Sequence, residues 1–203
     1  MTTSRPPLPA GPYLVVGLAR SGVAAAEALL ARGERVYGTD SGNPAAAGRL
    51  AELGVELELD GDGTGLLSDV RTVVKSPGVP AEAPVIAAAR ERGLDVIGEL
   101  ELGWRLLPNR FVAVTGTNGK TTVTEWLGHT FREAGAPVAV AGNVGTPLAA
   151  VAAAGLDAEA TIVCECSSFQ LEDSVAFAPE VAVLLNVTPD HLDRHGTLAA
   201  YAE

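Results

Sequence analysis

Cysteine, histidine and positive charge are all scarce in this chain. Its 203 residues include 2 cysteines and 3 histidines, and 14 Lys and Arg stand against 25 Asp and Glu, giving a formal net charge of −11. Two cysteines are too few for a disulfide scaffold. They fall at Cys164 and Cys166, i and i+2 of an apolar run. On a strand they share a face, a poor geometry for a mutual disulfide, so buried free thiols are expected; a metal pair would need further Cys or His nearby. The shortage of basic residues, with no basic patch to offset it, argues against a nucleic-acid partner. No apolar run reaches the length of a bilayer, and Met1 to Pro12 is polar and Pro-rich with no secretory core. A cytoplasmic protein with no membrane partner is therefore expected. A hydrophobic content of 47% excludes a disordered chain, and the length allows one large or two small domains.

An acidic protein that binds phosphate must make its positive field locally, from a lysine, a helix N-terminus or a divalent cation. One segment has that composition: Phe111-Val-Ala-Val-Thr-Gly-Thr-Asn-Gly-Lys-Thr-Thr122. A β-branched apolar run enters a Gly-rich turn, and a helical pattern follows. In such a layout the amides from Gly116 to Thr122 face anionic oxygens, Lys120 adds a point charge, and the Thr121 hydroxyl can hold a metal ion. The common loop has a Gly five residues before Gly119; here that residue is Val114, and Gly116 is the nearer turn glycine. The turn is thus a shortened relative of the P-loop. The competing reading is a strand-to-helix turn with a chance Gly-Lys-Thr.

Strands and helices alternate along the chain. Strands are expected at Tyr13 to Val16, Arg35 to Thr39, Thr72 to Lys75 and Asp95 to Ile97. Helices are expected at Val23 to Ala31, Leu50 to Leu53, Pro84 to Arg92 and Glu99 to Leu106. Short βα connections imply a doubly wound parallel sheet. Pro108-Asn109-Arg110 marks a boundary, giving domains 1–108 and 109–203. The second α/β series starts at Phe111. It continues with helix Thr124 to Ala134, strand Val138 to Ala141, helix Ala149 to Ala154, and strands Thr161 to Cys166 and Val181 to Asn186. Leu198 to Glu203 reads as a helix opening without a C-cap, so a partial chain is expected, with edge strands prone to association.

Four further segments carry polar groups to strand ends, where ligands bind in open α/β sheets. Gly17-Leu-Ala-Arg-Ser-Gly22 is a dinucleotide-type turn with Ala19 as its middle residue, and Asp40 stands where a ribose-binding acid often does. A purely structural βα turn remains open. Glu165 closes an apolar strand, and alternation turns it away from both cysteines, so it need not lie in the core. A Mg²⁺ ligand is the favoured role and a salt-bridged strand carboxylate the competing one. Glu172 and Asp173 read as solvated charges. His191, with Asp190 or Asp193, is either a second metal or substrate ligand or a structural histidine, and His129 reads as incidental. Asn143, in Gly142-Asn-Val-Gly145, is either a donor to substrate or a turn former.

Together these residues resemble the ATP-dependent Mur ligases of peptidoglycan precursor synthesis. Thr115 to Thr122 is similar to their ATP loop, and Gly142 to Gly145 and Asn186-Val-Thr-Pro-Asp-His-Leu-Asp193 look like family segments. Ser167-Ser-Phe-Gln-Leu-Glu172, the glycine turn, Ser76-Pro-Gly78 and Gly98-Glu-Leu-Glu101 resemble the member that adds D-glutamate to UDP-N-acetylmuramoyl-L-alanine. The resemblance implies a Rossmann-like UDP-substrate domain followed by part of a P-loop-type ATP domain, with ATP and Mg²⁺ as cofactors and a monomeric ligase. Arg20, Ser21, Asp40, Ser41, Ser76, Pro77 and Gly78 would lie near the UDP substrate. A basic residue that the family often carries two positions after the strand-end acid is Gly42 here. Gly116, Thr117, Asn118, Gly119, Lys120, Thr121 and Thr122 would hold ATP, and Thr121, Glu165 and His191 would hold metal. Lys120, Asn143, Glu165 and His191 would carry the chemistry: phosphorylation of the substrate carboxylate, then attack of the D-glutamate amine on the acyl phosphate. The family's carbamylated lysine and third domain would fall beyond Glu203, so weak or no turnover is expected of this portion by itself. Two alternatives are a folylpolyglutamate synthase-like ligase, disfavoured by the UDP-type first domain, and a non-catalytic nucleotide-binding module.

Overall fold

The computed structural model describes residues 5–203, and its backbone contacts divide the chain into two compact units. The first comprises the chain up to Pro108 together with residues 147–155 and 173–177; the second holds residues 109–146, 156–172 and 178–203.

The first unit is built on β1 (Tyr13–Val16), β2 (Val36–Asp40), β3 (Glu56–Leu59), β4 (Thr72–Lys75) and β5 (Asp95–Gly98). They form one parallel sheet in the order β3-β2-β1-β4-β5. Helices α1 (Arg20–Leu30), α2 (Ala47–Glu52), α3 (Pro84–Glu91) and α4 (Glu99–Leu106) connect the strands, with a 3-10 turn at Thr64–Ser68. The central strand β1 is buried along its whole length, and its alternate side chains feed two separate cores. Tyr13 and Val15 join α1 residues and Leu102 of α4, while Leu14 and Val16 join Val85, Ile86 and Ala89 of α3. A sheet covered on both faces needs apolar residues at every strand position, which Tyr-Leu-Val-Val supplies. Strand β3 was not expected from the sequence. Its Glu-Leu-Glu-Leu run is an edge strand with partly exposed glutamates; the polar/apolar alternation was there to be read, but it lasts only four residues and two of them are acids with low strand propensity.

After Pro108 come β6 (Arg110–Thr115), α5 (Lys120–Glu133), β7 (Val138–Gly142), α6 (Leu148–Ala154), β8 (Thr161–Glu165), α7 (Ser168–Leu171), β9 (Val181–Leu184), α8 (Leu192–His195) and α9 (Leu198–Ala202); α6 belongs with the first unit and the others form the second. Its sheet is also parallel, in the order β7-β8-β6-β9. Helix α5 starts at Lys120 rather than Thr124, so the lysine and both threonines of the loop form its first turn.

Candidate functional site

The loop between β6 and α5 is shaped by backbone geometry. Gly116 has φ +138 and a Cβ there would stand 3.0 Å from Asn186 N, so only glycine suits this crossing. Gly119 takes the left-handed N-cap position with φ 87. The first bond of α5 runs from Val123 N–H to the Gly119 carbonyl at 3.0 Å. The amides of Lys120, Thr121 and Thr122 therefore precede helical pairing and form the positive end of a 14-residue helix. Lys120 Nζ donates to the carbonyls of Gly116 at 2.7 Å and Thr117 at 3.0 Å, curling the ammonium over the turn it closes.

The loop is tied to the segment after β9. Thr117 N–H donates to Asn186 O at 3.0 Å, Asn118 N–H to Asn186 Oδ1 at 2.9 Å, and Asn186 Nδ2 back to Asn118 O at 3.0 Å. Thr117 Oγ1 donates to Thr188 O at 3.1 Å and accepts from Thr188 N–H at 2.9 Å. Asn186 is thus a loop support that the expectations from sequence do not include. The available signal was an amide residue at the C-terminal end of an expected strand.

Glu165 ends β8, whose register pairs it with Val114 on β6 and with Gly142 on β7. The carboxylate strand end thus lies beside the strand that opens into the loop. Glu165 is 2% exposed, against the expectation that it could stay out of the core. The cause is topological: β8 lies between β7 and β6, and a strand flanked on both sides is covered around its end. Its Oε1 accepts from Asn143 Nδ2 at 2.9 Å and its carbonyl from Asn143 N–H at 2.9 Å. Glu165 thereby holds Asn143 at both its side-chain and its backbone amide. Cys164 and Cys166 are buried thiols, not joined in a disulfide, with sulfurs 3.7 Å apart.

His191 lies elsewhere in this unit, as the N-cap of α8, with φ 48 and a half-exposed side chain. Its Nε2 is 3.6 Å from Asp190 Oδ2, and its ring stands 4.8 Å from that of Phe169. No hydrogen bond or ion pair joins it to Glu165 among the described residues. Nor do three or more His, Cys, Asp or Glu side chains converge as a metal cage among them. A cation here would draw on one carboxylate, the Thr121 hydroxyl, phosphate oxygens and water. That donor set suits Mg²⁺, which keeps several waters and takes one or two carboxylates. His129 is an exposed residue of α5.

In the first unit the expected substrate residues gather at the C-terminal ends of β1, β2 and β4. Asp40 Oδ2 accepts from Leu18 N–H at 2.7 Å and Oδ1 from Gly42 N–H at 3.0 Å, so this acid braces the glycine turn. Ser76 is buried and donates to Gly17 O at 2.7 Å. Pro77 and Gly78 follow β4 at the same sheet end, and Ser41 follows β2 and is exposed. Arg20 and Ser21 open α1. Arg20 lines a groove of about 510 Å³ together with Leu18, Val23, Glu27 and Pro44. Asp173 is not the solvated charge expected of it. It is buried and pairs with Lys75 Nζ at 2.5 Å. Glu172 does lie at the surface, paired with Arg194 at 2.7 Å.

A MurD-like N-terminal domain of the Mur ligases matches residues 12–98, and the Mur ligase middle domain matches residues 114–203. The chain belongs to the Mur ligase family. This Mur ligase chain is 50% identical over 196 residues to a UDP-N-acetylmuramoylalanine–D-glutamate ligase of Frankia casuarinae, covering 94% of the chain and 41% of that relative. It is 49% identical to the ligase of the same name from Pelotomaculum thermopropionicum, covering 93% of the chain and 42% of the relative. The Mur ligase chain thus spans about two fifths of the length of these relatives. Its fold matches a solved UDP-N-acetylmuramate-alanine ligase from Thermotoga maritima with a TM-score of 0.58 at 22% identity, over 95% of this chain and 45% of that one. A murein peptide ligase from Psychrobacter arcticus matches with a TM-score of 0.53 at 21% identity, over 89% and 44%. The mixed α/β architecture with parallel sheets is common to them.

Proposed function

We propose that this chain supplies the UDP-substrate and ATP-binding parts of an ATP-dependent ligase that joins D-glutamate to UDP-N-acetylmuramoyl-L-alanine in peptidoglycan precursor synthesis. The observation that carries the reading is the register of β6 and β8, which sets the buried Glu165 carboxylate directly beside the strand that opens into the Lys120 loop. High identity to D-glutamate ligases supports the choice of substrate.

In this reading the free amides of Lys120, Thr121 and Thr122 and the Lys120 ammonium receive the phosphates of ATP. Thr121 and Glu165 hold Mg²⁺, with His191 serving a second ion. When bound, Mg²⁺ lowers the repulsion between two anions, the substrate carboxylate and the γ-phosphoryl group. Asn143, fixed by Glu165, presents its amide to the substrate or the transferred phosphoryl group. Arg20, Ser21, Asp40, Ser41 and the Ser76-Pro77-Gly78 turn flank the UDP substrate. Catalysis of this kind rests on positioning and charge neutralisation rather than on a covalent protein intermediate.

Calorimetry on the 203-residue chain tests the assignment. Binding of ATP with Mg²⁺ is expected to weaken at least about tenfold in Lys120→Ala. UDP-N-acetylmuramoyl-L-alanine is expected to bind and a folate not to. ATP binding indifferent to Lys120→Ala, or preference for the folate, would falsify the reading.

A further inference from the structure

The proposed metal role of His191 leaves a physical question open: what holds its imidazole still. The residue sits at φ 48, ψ 36, a left-handed conformation that a side chain other than glycine adopts at a cost. Its side chain is 50% exposed. The helix it caps, α8, is a single turn of four residues. An exposed imidazole on such a turn has several rotamers open to it, and ordering it late would weaken any ligand it takes.

One neighbour restrains it from outside its own loop. The Phe169 ring lies 4.8 Å from the imidazole, tilted by 49°. Phe169 is itself fixed from two directions. It belongs to α7, which a reciprocal capping box closes: Ser167 Oγ accepts from Gln170 N–H at 3.3 Å, and Gln170 Oε1 accepts from Ser167 N–H at 3.0 Å. Against the same ring stands the Arg194 guanidinium, 4.3 Å from the centroid. Arg194 in turn donates its Nε at 3.0 Å and its NH2 at 2.7 Å to Glu172 Oε2. Helix α7 opens three residues after Glu165, so one rigid turn carries both the end of the carboxylate strand and this aromatic platform.

We propose that Phe169 is a positioning residue: its ring, anchored by the Ser167–Gln170 box and the Arg194–Glu172 pair, holds the His191 imidazole in one orientation, ready for the metal ion proposed above. The assignment rests on the reading of Lys120, Glu165 and His191 given above. A flat aromatic face is what the imidazole needs, so Tyr substitutes at this position and Leu does not, although both fill space.

The test uses histidine ring-proton NMR on the 203-residue chain, with three histidines to resolve. In the native chain and in Phe169→Tyr, the His191 ring protons are expected to carry a ring-current shift and to broaden on adding ATP with Mn²⁺ as the probe. In Phe169→Leu the shift should vanish, and half-broadening should need about three- to tenfold more Mn²⁺. Circular dichroism and ATP calorimetry check that each variant stays folded with its loop intact. If Phe169→Leu does not fold, Phe169→Met takes its place with the same expectation. An unchanged shift and Mn²⁺ requirement in Phe169→Leu, or equal losses in Leu and Tyr, would overturn the proposal. Broadening that survives unaltered in Glu165→Gln would instead overturn the metal reading, and this inference with it.

Discussion

Single side chains in the first unit take positions that water-exposed reasoning does not foresee, and Glu99 is the most consequential. It opens α4, is 1% exposed, and its Oε1 accepts from Ala149 N–H at 2.8 Å while Oε2 has no hydrogen-bond partner among the described residues. Burial pushes its carboxyl up to about 7, and the amides of Ala149 and Leu148 pull the other way. Desolvation wins because a lone carboxylate in the core loses more hydration than two amides restore. The consequence for stability has a definite sign. Between the ordinary value of 4.5 and about 7, the folded chain holds a proton that the unfolded chain has lost. Stability from this group is complete below 4.5 and is lost as pH rises through about 7. The loss amounts to about 3 kcal/mol. Glu99→Gln should remove this slope, so the variant gains on the native chain between pH 5 and pH 8. Urea unfolding followed by the buried Trp104, in a Trp126→Phe background, measures it. A difference between the two chains that does not change with pH would contradict the assignment.

Elements show a similar contrast between local and distant information. Strand β4 and helix α4 have the bounds read from sequence, because Val-Val between Thr72 and Lys75 and the apolar spacing after Gly98 are local patterns. The Lys120 loop and Glu165 were legible for the same reason: a strand, a turn and a helix are contiguous in the chain. Asp173 was not legible, since its partner Lys75 is 98 residues away. Short-range polarity makes an acid after Glu172 look solvated. Only the fold reveals that residues 173–177 belong to the first unit, where Gly98 N–H also donates to Asp173 O and the amides of Val175 and Ala176 donate to Glu101. Such a pair, 0% and 2% exposed, is costly to break from one side. Removing one partner by Lys75→Met or Asp173→Leu is expected to cost about 3–5 kcal/mol. The double change Lys75→Met with Asp173→Leu should recover most of that, since an apolar pair leaves no buried charge. Chemical denaturation of the four chains supplies the cycle. Single variants within about 0.5 kcal/mol of the native chain would show that water or another group already neutralises the pair.

For the chain as one molecule, the exposed boundary of the second sheet decides its behaviour in solution. Among the described residues, strand β9 pairs with β6 alone and closes the sheet order. Its Val181 is 49% and its Leu184 65% exposed. Side chains of consecutive strand residues point to opposite faces, so Val181 and Leu184 leave apolar surface on both. A flat apolar edge with unpaired backbone groups is a template for another strand. The net charge of −11 opposes that encounter, but through a field that salt shortens to about 8 Å at physiological strength. Association of the 203-residue chain should therefore increase with both protein concentration and salt. Leu184→Lys places a hydrated ammonium on the edge, as natural edge strands do, and should shift the chain towards monomer even at high salt. A lysine also lowers the net negative charge, which alone would favour association, so the two causes predict opposite signs. Sedimentation velocity across a salt series separates them: a smaller mean mass for Leu184→Lys assigns the contact to β9, and a larger one assigns it to charge elsewhere on the surface.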